Sequence, residues 1–269
     1  MTGRITPRAG LRPLEPVVRR LRVLHALPDA EVELVRSLAT RRERRLPGEE
    51  LITEGDNAAR PQFILSGWAC RQRVLPDGRR QIFSFLLPGD GFALNTRAGA
   101  ELSTVTALTV LETVDAEPLL DAVQAGRAPA IARALAAMDA MEHKLLLDHV
   151  VRLGRQTAYE RIAHMLLELQ RRLEIAGLGD GQRFPLPLTQ EILADALGLS
   201  IVHVNRTLQQ LRRERLIELR SGVTILLQRE LLASIADYQA VPIRAPAPAS
   251  GLPSRRADFE DAPARPSYW

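Results

Sequence analysis

Between residues 201 and 213 the chain sets Val202, Asn205, Arg206, Gln209 and Arg213 at spacings that place them on one face of a helix. Asparagine, glutamine and arginine carry the paired donors and acceptors that match the edges of adenine and guanine, and arginine also neutralises phosphate. Such a face suits non-covalent chemistry, the reading of base pairs in a major groove. Ser200 and His203 stand at the start of the same helix, where free amides and the helix dipole favour contact with a phosphate. For Arg206 the alternative is a surface salt bridge to Glu214 or Glu218. On the opposite face Val204, Leu208 and Leu211 recur at intervals of four and three, a stripe that requires an apolar partner. From Ile201 to Arg220 five arginines (206, 212, 213, 215 and 220) face only Glu214 and Glu218, a local excess hidden by the whole-chain charge of +4.

Other chemistry is not written here. His25, His143, His149, His164 and His203 are scattered, and the six-residue gap between His143 and His149 does not place both on one helix face around an ion. No metal site is expected. Neither a nucleophile elbow, a phosphate-cradling glycine loop nor a recognisable pair of carboxylates appears, so no enzyme activity is expected. The single cysteine, Cys70, has no disulfide partner within the chain and cannot supply a thiolate cluster; its role is open. Lys144 is the only lysine, so nearly all positive charge is guanidinium. Of the 269 residues 46% are hydrophobic, enough for one large or two ordinary domains with a buried core. There is no run near the roughly 20 apolar residues of a membrane span and no secretory leader, which predicts a cytoplasmic protein with no membrane partner.

The elements that must position the reading face follow from caps and turns. Thr189 and Ser200 are N-caps for two short helices, and Gly198 sits where the first must end in a left-handed residue. Ile192, Leu193 and Leu197 on that first helix provide the partner for the Val204 stripe. Residues 216–219 and 223–227 suggest a hairpin about Ser221-Gly222, which completes a winged helix. A preceding helix is predicted from Thr157 to Arg172 after a break at Gly154, followed by a loop over 177–187. Upstream, residues 1–15 read as a flexible tail, and 17–27 and 29–40 as two helices. Arg41, Arg42, Arg44 and Arg45 read as a solvated charge run, or else as a surface for an acidic partner. Residues 46–117 alternate short apolar stretches with turn signals, the pattern of a small antiparallel barrel or sandwich. The chain then turns helical, with Ile131, Leu135, Met138, Met141 and Leu145 forming one apolar edge that needs either a partner or its own β-domain. Residues 241–269, rich in Pro and Ala, are expected to be disordered.

Four segments in order, Leu46-Pro47-Gly48-Glu49, Glu54-Gly55-Asp56, Phe63-Ile64-Leu65-Ser66-Gly67 and Leu87-Pro88-Gly89-Asp90, resemble the cyclic-nucleotide-binding β-roll of the Crp/Fnr regulators. The stretch from Leu197 to Arg206 resembles the FixK-like branch of that family. The resemblance implies an α+β chain: an N-terminal cyclic-nucleotide-binding-like antiparallel β-roll sensor (16–120), a long dimerisation helix (121–153) pairing through Ile131, Leu135, Met138, Met141 and Leu145, and a C-terminal winged helix-turn-helix (154–240). It further implies a transcription regulator that binds a pseudo-palindromic operator as a homodimer. Its partners would be double-stranded DNA, a second copy and RNA polymerase. Groove-reading positions map to Val202, Asn205 and Arg206, with Arg206 matching the family arginine. Val202 stands where many relatives carry glutamate and leaves an apolar contact, such as one to a thymine methyl. The nucleotide site departs from the family too. Gly91-Phe92-Ala93-Leu94 lacks the glutamate for a ribose hydroxyl, and Glu101 or Leu102 falls where the family arginine would pair with phosphate. Arg97 could replace that arginine only with a shifted loop. The cysteine cluster of the oxygen-sensing branch is also absent from this sequence. No cyclic-nucleotide cofactor is therefore expected, and another effector, or none, is left open. The rival function is a ligand-binding sensor acting through protein contacts, but a docking surface would place apolar anchors where the groove-side arginines stand.

Overall fold

A computed structural model describes residues 13–38, 42–94 and 99–240. Most of the N-terminal tail, Arg41, Arg97 and the whole tail over 241–269 lie outside the described residues. Helices α1 (Glu15–Leu24) and α2 (Asp29–Ser37) come first, parted by Pro28. Eight strands follow: β1 (Arg42–Arg45), β2 (Glu50–Ile52), β3 (Gln62–Ser66), β4 (Ala69–Val74), β5 (Arg80–Leu86), β6 (Gly91–Phe92), β7 (Thr104–Ala107) and β8 (Leu111–Asp115). They form two antiparallel four-stranded sheets, ordered β1-β8-β3-β6 and β2-β7-β4-β5. Ile52, Ile64, Leu86, Phe92, Val105 and Leu111 pack between them. The charge run is itself a strand: β1 lies antiparallel to β8, Arg42 opposite Val114 and Arg45 opposite Leu111. Gly89, in the turn before β6, has φ +94°, and a Cβ there would lie 2.7 Å from the Pro16 carbonyl oxygen. Only glycine lets this turn press against α1.

Helix α3 (Glu117–Gln124) leads into α4 (Pro129–Arg155). Gly154 does not end α4, which runs on to Arg155 with Gln156 as its extended cap. Its first turn is capped from another element: the Glu31 carboxylate of α2 accepts the amides of Ala130 (3.2 Å) and Ile131 (2.7 Å). The apolar edge assigned to pairing is turned inward. Ile131, Met138, Met141 and Leu145 are buried, and Leu135 packs beside them, against Val17, Val18 and Leu21 of α1 and Leu119 of α3. This corrects the sequence reading of those five residues. Periodicity locates the strongest apolar face of a helix but not its occupant, and α1 occupies this one.

Helix α5 (Ala158–Ala176) starts at a capping box, Thr157 with Glu160. After it come β9 (Arg183–Pro185), α6 (Gln190–Leu197), α7 (Ile201–Arg213), β10 (Ile217–Arg220), β11 (Val223–Leu226) and α8 (Arg229–Ile235). Strand β9 pairs with β11 and lies in what the sequence presents only as a Gly/Pro loop. Ser221 and Gly222 both have positive φ, +48° and +78°, as a two-residue hairpin turn with the twist of its strands requires. The C-terminal unit does not hang free. Trp68, Ile82, Phe85 and Leu87 of the β-roll share a core with Ile162, Leu166, Leu169 and Leu173 of α5. Cys70 lies in that core, where burial pushes its thiol up to about 12 and disfavours the thiolate. No helix among the described residues is long and apolar enough to cross a membrane.

Candidate nucleic-acid interface

The reading face is delivered by two caps and a tight turn. Thr189 Oγ1 accepts the Ile192 amide (3.2 Å), and Ser200 Oγ accepts the His203 amide (3.2 Å). Between them Gly198 ends α6 with φ +61°. Val204, Leu208 and Leu211 of α7 are buried with Leu193 and Leu197 of α6, so the opposite side of α7 must face solvent. Val202, His203, Asn205, Arg206, Gln209 and Arg213 are all exposed there. The structure brings this set together, whereas Ser200 is engaged as a cap and presents only what its hydroxyl has left. Gln190, Ile201, Val202, Asn205 and Arg206 line a shallow open hollow of about 320 Å³ at the start of α7.

The local electrostatics leave Arg206 available. Glu214 accepts hydrogen bonds from Tyr159 Oη and from Gln210 Nε2 (3.0 Å), and Glu218 pairs with Arg220. Among the described residues no carboxylate pairs with Arg206. Arg212 donates to Gln209 Oε1 (3.3 Å), which orients that amide. The hollow also contains two side chains that do not belong on a bare surface, Ile201 and Val202, 50% and 69% exposed. Ile201 went unnoticed in the sequence because it falls between the helical stripes, and only the packing of α6 shows that it faces out.

The arginines that hold the reader in place carry no sequence signal. Arg161 donates to the carbonyls of Leu153 (2.9 Å), Gln156 (2.8 Å) and Leu197 (2.9 Å), tying the end of α4 to the turn before α7. These satisfy carbonyls that helix ends leave without partners. Arg80 of β5 pairs with Asp195 of α6 at 2.6 Å.

A second apolar surface lies on α4. Ala136, Ala140, His143, Leu147, Val150 and Gly154 are exposed and follow one another at steps of four and three. Leu147 and Val150, 54% and 59% exposed, are flanked by the exposed Leu146 and Val151. This seam lies two positions on from Met138, Met141 and Leu145, roughly 200° around the helix at 100° per residue. His149 is buried one turn before Arg152, and burial, with Arg152 assisting, pushes its imidazole down to about 4. Among the described residues there is no cluster of three or more potential metal ligands.

The chain matches two family models, that of the cyclic nucleotide-binding domain over residues 42–124 and that of the Crp-like helix-turn-helix domain over residues 160–235. It is 33% identical to the nitrogen fixation regulation protein FixK of Bradyrhizobium diazoefficiens over 221 residues, covering 81% of this chain and 91% of that protein. It is likewise 33% identical to the transcriptional activatory protein AadR of Rhodopseudomonas palustris, covering 74% and 82%. Among solved structures, FixK2 from Bradyrhizobium japonicum superposes with a TM-score of 0.64 at 31% identity, covering 74% of this chain and 98% of that one.

Proposed function

Because the chain belongs to the Crp/Fnr family of DNA-binding transcription regulators, we propose that it works as a cytoplasmic homodimer on a pseudo-palindromic operator. The observation that carries this reading is the solvent-facing side of α7, where an unpaired Arg206 stands beside Asn205, Gln209 and Arg213 on a helix whose other side is buried. Two such helices, related by the dimer axis, enter major grooves about one turn apart, roughly 34 Å. The dimer forms through the α4 seam from Ala136 to Gly154: alternating steps of four and three make the repeat of a left-handed helix pair, and small residues at its N-terminal half permit close approach. The four large apolar side chains exposed near its C-terminal half would otherwise face water. Arg206 reads guanine, Val202 and Ile201 meet thymine methyls, and Ser200, His203 and the N-terminus of α7 face phosphate. RNA polymerase is the partner through which a bound regulator changes transcription, and no residue is assigned a catalytic role.

The test is a binding-site selection on the purified protein followed by gel shifts. Arg206→Ala should cost about 5- to 150-fold in affinity for the selected operator, the worth of one bidentate guanine contact, with dimer mass and circular dichroism unchanged. Unchanged operator affinity would refute the assignment of α7 as the reader.

A further inference from the structure

The reader and the β-roll are joined by a buried chain of ions. Arg172 of α5 donates from Nη2 to Asp90 Oδ2 (2.7 Å) and to the Phe85 carbonyl (2.6 Å), both on the β-roll. Its Nη1 donates to Glu168 (3.2 Å), whose other oxygen takes a hydrogen bond from Arg152 of α4. Asp90 is itself held from two sides: Oδ2 accepts the Leu87 amide (2.8 Å), and Oδ1 lies 3.2 Å from Arg20 Nη2 of α1. All five side chains are buried. Burial alone would raise Asp90 and Glu168, but the neighbouring arginines more than reverse it and keep both carboxylates low and ionised.

An ion pair in this place is a poor way to gain stability, since apolar side chains of similar volume would fill the space as well. What it adds is direction. An apolar contact between α5 and the sheet can slide by ångströms at little cost, whereas a planar guanidinium with Nη2 on a fixed carboxylate and a fixed carbonyl and Nη1 held by Glu168 accepts one angle. Helix α5 is clamped in this way at its far end by Arg172, and at its near end Arg161 ties it to the last turn of α4 and to the α6–α7 turn. It is the strut between sensor and reading helix.

We infer that Asp90 and Arg172 are positioning residues for DNA reading: their pair sets the angle at which each α7 projects from the β-roll, and so the half-site spacing the dimer accepts. This rests on the dimeric reading above. One inserted base pair moves the half-sites apart by about 3.4 Å and turns them by roughly 35°, so a rigid pair of readers should reject it. The experiment measures the affinity of the full chain, by gel shift, for the selected operator and for copies with one base pair added or removed at the centre. The wild type should prefer the native spacing by about tenfold or more, whereas in Asp90→Asn that preference should shrink to about twofold while the preference for operator over scrambled sequence persists. Arg172→Lys, which keeps the buried charge but loses the fork, should do the same and serves if Asp90→Asn does not fold. A variant that binds all spacings more weakly but in the wild-type ratio would overturn the inference, because simple destabilisation acts that way. A wild type indifferent to spacing would instead overturn the dimeric reading on which it rests.

Discussion

Arg206 and Val202 are one helical turn apart, and what each is free to do was decided by its neighbours. Arg206 is available because Tyr159 and Gln210 engage Glu214, and Arg220 engages Glu218. The type and position of Arg206 were legible in the sequence, but its freedom was not, since Tyr159 lies on a different helix. Val202 sits four residues earlier, about 6 Å along the axis, which is roughly two base pairs. On the proposed reading its methyls therefore meet a base about two steps from the guanine assigned to Arg206. Replacing that thymine by deoxyuridine deletes one methyl and should weaken wild-type binding about fourfold. In Val202→Ala the same replacement should matter much less, and titrations of both operators against both proteins would show it. Equal affinity of the wild type for thymine and uracil operators would remove Val202 from the readout.

Helix α4 shows how one element serves two masters. The strongest apolar edge, Ile131 to Leu145, faces α1 and α3 of its own chain, and the weaker seam from Ala136 to Gly154 stays open. Sequence periodicity favoured the first for pairing because five large side chains make a louder signal than alanine and glycine at the same spacing. The two faces predict different phenotypes. Leu147→Asp places like charges opposite each other across the proposed seam and should yield a monomer by sedimentation, with little change in the melting of that monomer's core. Met138→Ala opens a cavity worth roughly 2–5 kcal/mol of stability and should lower the melting temperature while leaving the dimer mass unchanged at low temperature. The reverse pattern would return the dimer contact to the inner edge. The same lesson holds for β9 and β1. A three-residue strand in a Gly/Pro stretch and a strand of mostly arginines carry no apolar alternation, so only their pairing with β11 and β8 identifies them.

At the scale of the whole molecule the buried charges make stability depend on acidity in two stages. His149, held neutral by burial, takes up a proton in the folded chain only near pH 4, while the unfolded chain takes it up near 6.5. Between those values the unfolded state binds more protons, so stability falls as pH falls, by up to roughly 1.4 kcal/mol per pH unit for this group. Arg152 beside it opposes protonation and Glu168 favours it. His164 is shifted downward for the same leading reason and adds to the same stage. Asp90 and Glu168 are shifted below the ordinary carboxylate range, so their contribution is present above about pH 4 and disappears as pH falls through their lowered values. Urea midpoints measured from pH 7 to pH 4 should therefore decline, and His149→Gln should flatten that decline in part. An identical slope in the variant would show that His149 is not the group being protonated.

The sequence by itself determined the local parts and the family. Helix caps at Thr189 and Ser200, the left-handed stop at Gly198, the Ser221-Gly222 turn and the β-roll punctuation are written in residue types whose backbone preferences act over three or four positions. The reading face of α7 follows from the same short-range geometry. The tertiary structure alone decided which apolar edge of α4 is used up within the chain, which acid leaves Arg206 free, and how Arg20, Asp90, Arg172, Glu168 and Arg152 meet. Those five come from three helices and a turn spread over positions 20 to 172, and helical spacing links only Glu168 and Arg172. A buried charge finds its partner through space, and the fold must bring the pair together before either residue shows what it does.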